Sequence, residues 1–197
     1  MIARLAPIVE GHGDAASVRI LVNAILNPMG IYVEVAKPIR LDRGKIVKPE
    51  EFGRHIELAR INAGKDGAIL VMFDSDGECP LDLSRSCCEI LDRRGLPYLV
   101  SVAHHMYENW FIASADSLMG KRGLTSSYVS PLDPESVASP KSWLERHHVD
   151  NSRSKKVWTY SERVDQPALT SYIIPSHARS SRSFRHLEDG LLRLFCP

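Results

Sequence analysis

The sequence predicts an α/β fold in which a parallel sheet of about four strands is flanked by helices and followed by a mainly helical C-terminal extension. Strand-like and helix-like segments alternate up to about residue 115, as they do where crossover helices join parallel strands. Residues 68–73 are continuously apolar, which is typical of a strand covered on both faces. These two observations favour a three-layer arrangement with the sheet in the middle.

Each element of the first half has a local signal. A strand with the sequence RLAPIVEG ends at Glu10, and the helix DAASVRILVNAIL follows with Asp14 as its expected N-cap. Pro38 interrupts the next extended segment, YVEVAKPIRL, which predicts an edge strand or a bulge. The helix PEEFGRHIELARIN opens with proline and acids and is expected to stop at Gly64.

The second half continues the alternation. GAILVMF is the apolar strand, LDLSRSCCEILDRRG is a helix that ends at a glycine, and LPYLVSVAH is a further strand. The helical segment MYENWFIASADSL precedes a region rich in Gly, Ser and Pro, and the chain closes with the amphipathic helix SRSFRHLEDGLLRLF. We therefore expect an α/β domain over residues 1–119, a connecting loop over 120–140, and a basic helical extension over 141–197 packed on the first domain.

Composition excludes several functional classes. The 197-residue chain has a formal net charge of +1, which argues against a general, strongly basic nucleic-acid binder. Residues 1–116 carry 13 basic and 16 acidic side chains, whereas residues 117–197 carry 12 and 8. No apolar stretch is long enough for a membrane span and no secretory signal is recognisable, so we expect a cytoplasmic protein without membrane contact. The four cysteines lack disulfide or zinc spacing, which predicts free thiols.

Acidic side chains follow two of the predicted strands. Glu10 ends the first strand, and Asp74 and Asp76 follow the apolar strand. Parallel strands place their carboxyl ends at one edge of the sheet, where open α/β sheets bind ligands. Carboxylates crowded at that edge repel one another unless a cation neutralises them, and hard oxygen ligands select Mg²⁺ or Mn²⁺. The three acids therefore predict a divalent metal site for phosphoryl transfer.

The turn after the first strand adds a candidate phosphate contact. Its sequence is Glu10-Gly11-His12-Gly13-Asp14, in which two glycines let the backbone approach a ligand and the following helix offers unpaired amides. We name His12, Gly11 and Gly13 as candidate phosphate-binding residues. The turn lacks the lysine of a P-loop and the third glycine of a dinucleotide fingerprint.

Two rival motifs share the paired aspartates. An EF-hand loop starting at Asp74 needs glutamate at its twelfth position, but that residue is Arg85, so this interpretation fails. A dehalogenase-type phosphatase also has two aspartates at a strand end, on its first strand and before a threonine-like residue. Here the pair follows the third strand and precedes Gly77, so this class remains an alternative.

Further side chains extend the candidate site. Glu108 follows the last strand of the alternation and is a candidate fourth carboxylate for a second metal ion. His104 and His105 lie nearby and are possible proton carriers. On the basic side, three arginines spaced three apart would share one helix face and suit phosphate contacts. This predicted basic wall comprises Arg179, Arg182 and Arg185, joined by Arg153, Lys155 and Lys156.

The pattern resembles the Toprim domain of topoisomerases, primases and overcoming-lysogenization-defect nucleases. The resemblance rests on the turn that begins at Glu10 and on Asp74-Ser75-Asp76, and it covers roughly residues 1–115. It implies a Toprim-like, Rossmann-like sheet. It also implies that Glu10 is a metal ligand or a general acid or base and that Asp74 and Asp76 bind metal. We name these three residues as metal ligands and, together with Glu108, as candidate catalytic residues.

More narrowly, the chain is similar to the bacterial domain-of-unknown-function family 4276. The similarity rests on Glu108-Asn109-Trp110 and on Ser183-Phe184-Arg185. It implies Mg²⁺-dependent cleavage of nucleic acid by an antiphage defence effector that works with an ABC-type ATPase, and dimers are common among similar nucleases. A topoisomerase needs a nucleophilic tyrosine on a large separate domain, so nuclease is preferred. The alternatives are a small-molecule phosphatase or nucleotide hydrolase, and a non-catalytic metal-binding subunit of an ATPase complex.

Overall fold

The computed structural model describes residues 4–46, 48–125, 131–151 and 157–196. Over these residues five parallel strands form one sheet. The strands are β1 (Arg4–Val9), β2 (Glu34–Val35), β3 (Ile39–Arg40), β4 (Ala68–Asp74) and β5 (Tyr98–Ala103). Their order across the sheet is β2-β1-β4-β5, and the short strand β3 also pairs with β1, beside β2. The predicted α/β fold with a parallel sheet of about four strands is confirmed, since β2 and β3 are two short parts of the one predicted edge segment.

Four helices accompany the strands in the first part of the chain. They are α1 (His12–Leu26), α2 (Arg43–Ile46), α3 (Pro49–Ala63) and α4 (Pro80–Leu91). Both α3 and α4 begin with proline, which lacks a backbone N–H. This loss has no cost in the first turn of a helix, because N–H groups there have no partner within the helix. As predicted, α3 stops at Gly64, which has a φ of 74° that favours glycine.

The predicted start of the first helix is wrong. Helix α1 begins at His12 with Gly11 as its N-cap, and Asp14 lies inside the first turn. The Gly11 N–H donates to Asp14 Oδ2 at 2.8 Å, so this carboxylate still satisfies an amide at the helix start, but from the third helical position. The small residues that follow Glu10 allow the chain to pass from strand to helix without a longer turn.

The described residues after β5 form six more helices. They are α5 (Glu108–Ala113), α6 (Ala115–Leu118), α7 (Pro140–Arg146), α8 (Glu162–Thr170), α9 (Pro175–Ala178) and α10 (Arg182–Phe195). Ser181 caps α10 by accepting a hydrogen bond from the Phe184 N–H at 3.0 Å. None of the helices in the described ranges has the length and apolar character that a membrane span requires.

The sheet separates two hydrophobic clusters. Alternate residues of β4 point to opposite faces, so that Leu70 and Met72 join one cluster while Ile69 and Val71 join the other. The first cluster contains residues of α1, α5, α8 and α10, and the second contains residues of α3 and α4. Helices on both sides of residues 120–140 therefore share a core, and the predicted division into domain, loop and extension stays a prediction.

The connections reverse direction between β1 and β4. From β1 the chain passes through α1 to β2 on one side of β1, and from β3 it passes through α3 to β4 on the other side. Because α1 and α4 cover opposite faces, the chain leaves the carboxyl ends of β1 and β4 in opposite directions. A crevice opens at such a switch point, and it is the preferred ligand site of open α/β sheets.

Gly13 sits where α1 meets α8, which predicts a large effect of a single methyl group. A Cβ at Gly13 would lie 2.0 Å from Gln166 Oε1 and 2.8 Å from the backbone oxygen of Glu162. We expect Gly13→Ala to lower the free energy of unfolding by about 2 kcal/mol, because α8 must move to relieve the overlap. Urea denaturation measures this change.

Gly44→Ala is the matched control, because a Cβ there meets nothing within 4 Å. Gly44 lies in α2, where alanine is the better helix former, so this variant should keep or gain stability. Equal stabilities of the two variants would contradict the close packing at Gly13.

Candidate active site: a carboxylate crevice

Glu10 and Asp74 meet at the switch point of the sheet. Glu10 directly follows β1, and Asp74 is the last residue of the neighbouring strand β4. The Asp74 N–H faces Glu10 Oε2 at 3.5 Å, so the two residues adjoin although they are distant in the chain. Asp74 Oδ1 accepts a hydrogen bond from the Tyr107 N–H at 2.9 Å, which fixes the orientation of this carboxylate.

Two further carboxylates join this pair, and we call Glu10, Asp14, Asp74 and Glu108 the carboxylate crevice. Asp14 and Glu108 are both close enough to Asp74 to affect its ionisation. Asp14 is held from two sides, since it also accepts from Gln166 Nε2 at 2.7 Å. The crevice thus draws its side chains from the ends of β1 and β4 and from the starts of α1 and α5.

Glu108 is buried between a cation and a hydroxyl group. Its relative exposure is 1%, and Lys141 Nζ lies 3.9 Å from its Oε1. The Tyr160 hydroxyl adjoins the same carboxylate and can donate to it, although the two groups are not aligned in strict hydrogen-bond geometry. Glu108 is thus held in a buried polar environment that Lys141 and Tyr160 supply.

Burial raises the pKa values of all four carboxylates, and the charges of neighbouring acids add to the shifts. Burial, followed by the charges of Asp14, Glu108 and Glu10, holds the pKa of Asp74 well above its ordinary value. Burial raises the pKa of Glu108 to about 7, although Lys141 opposes the shift. The pKa values of Glu10 and Asp14 are also raised, in both cases mainly by burial. The crevice therefore favours protonation of its carboxyl groups, which a bound cation would oppose.

Asp76 adjoins Glu10 but is paired with Arg43. It is exposed, has a φ of 48°, and pairs through Oδ2 with Arg43 Nη1 at 3.0 Å. The same guanidinium contacts Glu78 through Nη2. Asp76 contributes to the raised pKa of Glu10, but its carboxylate borders a surface cavity of about 610 Å³ that Arg43 also lines. The paired aspartates thus face different surroundings, because the left-handed turn at Asp76 redirects its side chain.

Two short sequence motifs meet behind the crevice. Trp110 Nε1 donates to Ser183 Oγ at 2.9 Å, and the Trp110 ring packs edge-on against Phe184. Asn109 Oδ1 accepts from the N–H groups of His105 at 3.2 Å and of Met106 at 3.1 Å. These contacts fix the loop between β5 and α5, which supplies the Tyr107 amide and Glu108.

The paired histidines lie on the far side of the same loop. Their rings stack with centroids 4.0 Å apart, and the peptide bond between them is cis. His104 Nδ1 shares a hydrogen bond of 3.1 Å with Ser75 Oγ. His104 is therefore connected to the loop after β4 through Ser75 and not through a carboxylate of the crevice.

Both glycines among the three candidate phosphate-binding residues in the first turn already have contacts within the protein. The Gly11 N–H donates to Asp14, and Gly13 packs against α8. His12 is exposed, and its Nδ1 lies 2.9 Å from Arg40 Nη1. Of the three predicted residues, His12 is thus the one with an exposed side chain beside a cation.

The predicted basic wall is only partly present. Arg182 and Arg185 lie on α10, but Arg179 precedes that helix, so the prediction of one shared helical face is wrong. Arg179 contacts Glu188, and Arg185 Nη1 donates to the Arg179 carbonyl. The Arg182 side chain is 75% exposed, with its Nε 3.5 Å from Glu135 Oε2. The remaining predicted members, Arg153, Lys155 and Lys156, lie outside the described residues.

Sequence reasoning missed three members of the site. Asp14 was assigned to capping, although its place in the first turn was a usable signal. Lys141 and Gln166 come from α7 and α8, and nothing in their local sequence indicates that these helices reach the crevice. The four cysteines carry free thiols, as predicted.

The crevice has the donor chemistry of a hard cation without a preformed ligand cage. Over the described ranges, no group of three or more His, Cys, Asp or Glu side chains is arranged to hold a metal ion. The raised pKa values nevertheless show that the site disfavours several negative charges at once, a condition that a bound cation would relieve. Oxygen donors of this kind suit Mg²⁺, which needs only one or two carboxylates and retains water.

Comparisons with known proteins identify a family. No curated protein and no solved structure matches the chain. A family model described as Domain of unknown function (DUF4276) matches residues 9–192. This span includes the crevice and the contact between Trp110 and Ser183. The chain belongs to the DUF4276 family.

Proposed function

We propose that this protein is a Mg²⁺-dependent phosphodiesterase that cleaves nucleic acid. The observation that carries the proposal is the meeting of Glu10, Asp14, Asp74 and Glu108 at the switch point, with their pKa values raised. Burial of a carboxylate is unfavourable, so a site that gathers one buried and three half-buried carboxylates is best explained by a cationic ligand. The resemblance to Toprim domains supports the same chemistry through the turn after β1 and the paired aspartates.

The proposal gives each acid a role. Glu10 and Asp74, which adjoin at the ends of neighbouring strands, would hold the cation, and Asp14 and Glu108 would complete its negative surroundings. When bound, Mg²⁺ supplies a Lewis acid that polarises a phosphate oxygen. Asp76 would have to release Arg43 before it could bind the same ion. Lys141 keeps part of the charge of Glu108 compensated.

Partners enter the proposal through the family resemblance. A role in antiphage defence with an ABC-type ATPase, and the formation of homodimers, rest on that resemblance and on no contact within the chain. An ATPase partner that gates cleavage would leave the isolated protein inactive, and cleavage would appear in the complex.

A cleavage assay tests the proposal. Purified protein is incubated with supercoiled plasmid, linear single-stranded DNA and RNA in Mg²⁺, Mn²⁺, Ca²⁺ or EDTA. We expect cleavage in Mg²⁺ or Mn²⁺ and none in EDTA. Turnover of free nucleotides without cleavage of any strand would instead identify a small-molecule phosphatase. Metal binding without turnover would identify a non-catalytic subunit.

Thermal unfolding tests metal binding without activity. At pH 8 the crevice must carry charges that its burial disfavours, so Mg²⁺ or Mn²⁺ should raise the melting temperature. At pH 5 the raised pKa values keep protons in place, and the same ions should have a smaller effect. A melting temperature that is insensitive to both ions at pH 8 would refute the metal site.

A further inference from the structure

A second cavity of about 380 Å³ opens between α4, α10 and the outer edge of β5. None of the four crevice carboxylates is among the residues that the structure describes as its walls. The principal lining residues are Leu81, Val100, Val102, His104, Arg182 and His186. Its volume lies within the range of about 300 to 1,000 Å³ that small-molecule sites occupy.

One wall of the cavity is apolar. Val100 and Val102 belong to β5, and Leu81, in the first turn of α4, is 73% exposed. A large apolar side chain that is exposed at the rim of a cavity favours a ligand with an apolar surface. The flat face of a heteroaromatic ring satisfies this requirement.

The mouth of the cavity carries a charged pair, Arg182 and Glu135, of which only Arg182 is exposed. The Arg182 Nε faces Glu135, but neither Nη atom has a hydrogen-bond partner among the described residues. With 75% of the side chain exposed, the guanidinium is available to a phosphate, which it can bind through two parallel hydrogen bonds. Arg182 thus offers an anion site next to the apolar wall.

His186 adds a polar group of defined character. Its Nε2 lies 3.0 Å from the Val100 carbonyl, and since a carbonyl only accepts, Nε2 must carry the hydrogen. In the neutral imidazole, Nδ1 is then an acceptor. An acceptor beside an apolar wall suits the amino or N–H edge of a nucleobase.

The edge of β5 is closed to a peptide strand. The N–H groups of Ile69 and Ser75 donate to the carbonyls of Pro97 and Ala103, respectively. The backbone hydrogen-bonding groups of alternate residues from 97 to 103 therefore point toward β4, and those of residues 98, 100 and 102 point to the open edge of the sheet. His186 caps the outward Val100 carbonyl, and Ser183 Oγ accepts from the His104 N–H at 3.2 Å. Side chains therefore occupy the edge that an added strand would need, which favours a small ligand.

We propose that this cavity binds one nucleotide, with its phosphate at Arg182 and its base against Val100, Val102 and Leu81. The source of this nucleotide rests on the proposed function. It is the nucleotide of the substrate strand that lies next to the cleaved bond. The hydrogen bond between His104 and Ser75 connects the cavity with the loop that carries Asp74 and Asp76.

Titration of the full-length protein in EDTA tests the site separately from metal-dependent cleavage. Amide chemical shifts are followed by NMR as AMP, dAMP, adenosine, inorganic phosphate or a 5′-phosphorylated dinucleotide is added. We expect saturable shifts at residues of β5 and α10, with the mononucleotides binding at least tenfold tighter than adenosine or phosphate. Tighter binding of the dinucleotide supports a strand as the source, and equal binding supports a free nucleotide.

Matched variants localise the binding. Arg182→Gln should weaken it about tenfold, the effect of a charge-assisted phosphate contact, while Arg193→Gln, an exposed arginine on the same helix, should not. Leu81→Trp should fill the cavity and abolish binding, and Ile61→Trp is the control because Ile61 is 67% exposed on α3.

Three results would overturn the inference. They are the absence of saturable binding to the wild-type protein, binding of phosphate as tight as that of a nucleotide, and binding that Asp74→Asn abolishes while Arg182→Gln leaves it intact. Since the titration contains no divalent ion, it can fail while plasmid cleavage succeeds, and the reverse.

Discussion

Asp74→Asn is expected to reduce metal-dependent cleavage of nucleic acid by at least about a thousandfold. That factor corresponds to about 4 kcal/mol of lost transition-state stabilisation, within the range that a bound metal ion supplies. Asparagine keeps the size of the side chain and an oxygen that can accept from the Tyr107 N–H. The substitution therefore removes the charge without removing the contact that orients the side chain. Initial rates on the preferred substrate in Mg²⁺ and Mn²⁺ measure the loss.

Asp82→Asn is the control for charge removal. Asp82 lies in the first turn of α4 and its side chain is 69% exposed, so cleavage should stay within about twofold of the wild-type rate. The thermal stability of Asp74→Asn should not fall, because the change relieves repulsion with Glu10, Asp14 and Glu108. Undiminished cleavage by correctly folded Asp74→Asn protein would remove Asp74 from the proposed mechanism.

Glu108→Gln is expected to stabilise the metal-free protein at pH 8 by up to about 3 kcal/mol. A pKa raised from 4.5 to about 7 corresponds to this difference between the two protonation states. Glutamine retains the shape of the protonated side chain and has no charge to desolvate. Urea denaturation in EDTA from pH 4 to pH 8 measures the difference.

The sign of the pH dependence follows from proton binding. Between about pH 4.5 and pH 7 the folded protein holds a proton on Glu108 that the unfolded chain has released, so the free energy of unfolding falls as pH rises. Below this window the contribution is fully present, and above it the contribution is lost. Glu10, Asp14 and Asp74 also have raised pKa values and act in the same direction. The wild-type protein should thus lose stability over this range, and Glu108→Gln should lose less.

Glu162→Gln is the control that separates the effect of burying Glu108 from the effect of removing a carboxylate partner of Lys141. Glu162 contacts the same ammonium, but its side chain is 50% exposed, so removal of its charge should not stabilise the protein. A Glu108→Gln variant that is less stable than wild type at pH 8, or that keeps the wild-type pH dependence, would contradict the effect of burial on Glu108.

The sheet was predictable because its signals are local. The apolar run of β4, the glycine after α3 and the proline in the edge segment each report on their own neighbourhood. The meeting of Glu10 and Asp74 was also predictable, since parallel strands bring their carboxyl ends to one edge.

The remaining features depend on tertiary packing. Asp14 entered the crevice because α1 starts earlier than predicted, and Lys141 reached Glu108 from α7, which follows the predicted connecting loop. Asp76 has a left-handed backbone and pairs with Arg43, a contact that the local sequence does not indicate, and its action with Asp74 stays a prediction. No periodicity in the sequence reports the orientation of a turn or the docking of a distant helix.

The contacts of Ser183 have a consequence for biosynthesis. Its hydroxyl oxygen accepts from both the Trp110 indole and the His104 amide, so the segment that carries Glu108 depends on residues made much later. A nascent chain in which α10 is still inside the ribosome lacks this acceptor. The loop that leads to Glu108 can therefore gain these two contacts only after Ser183 has emerged.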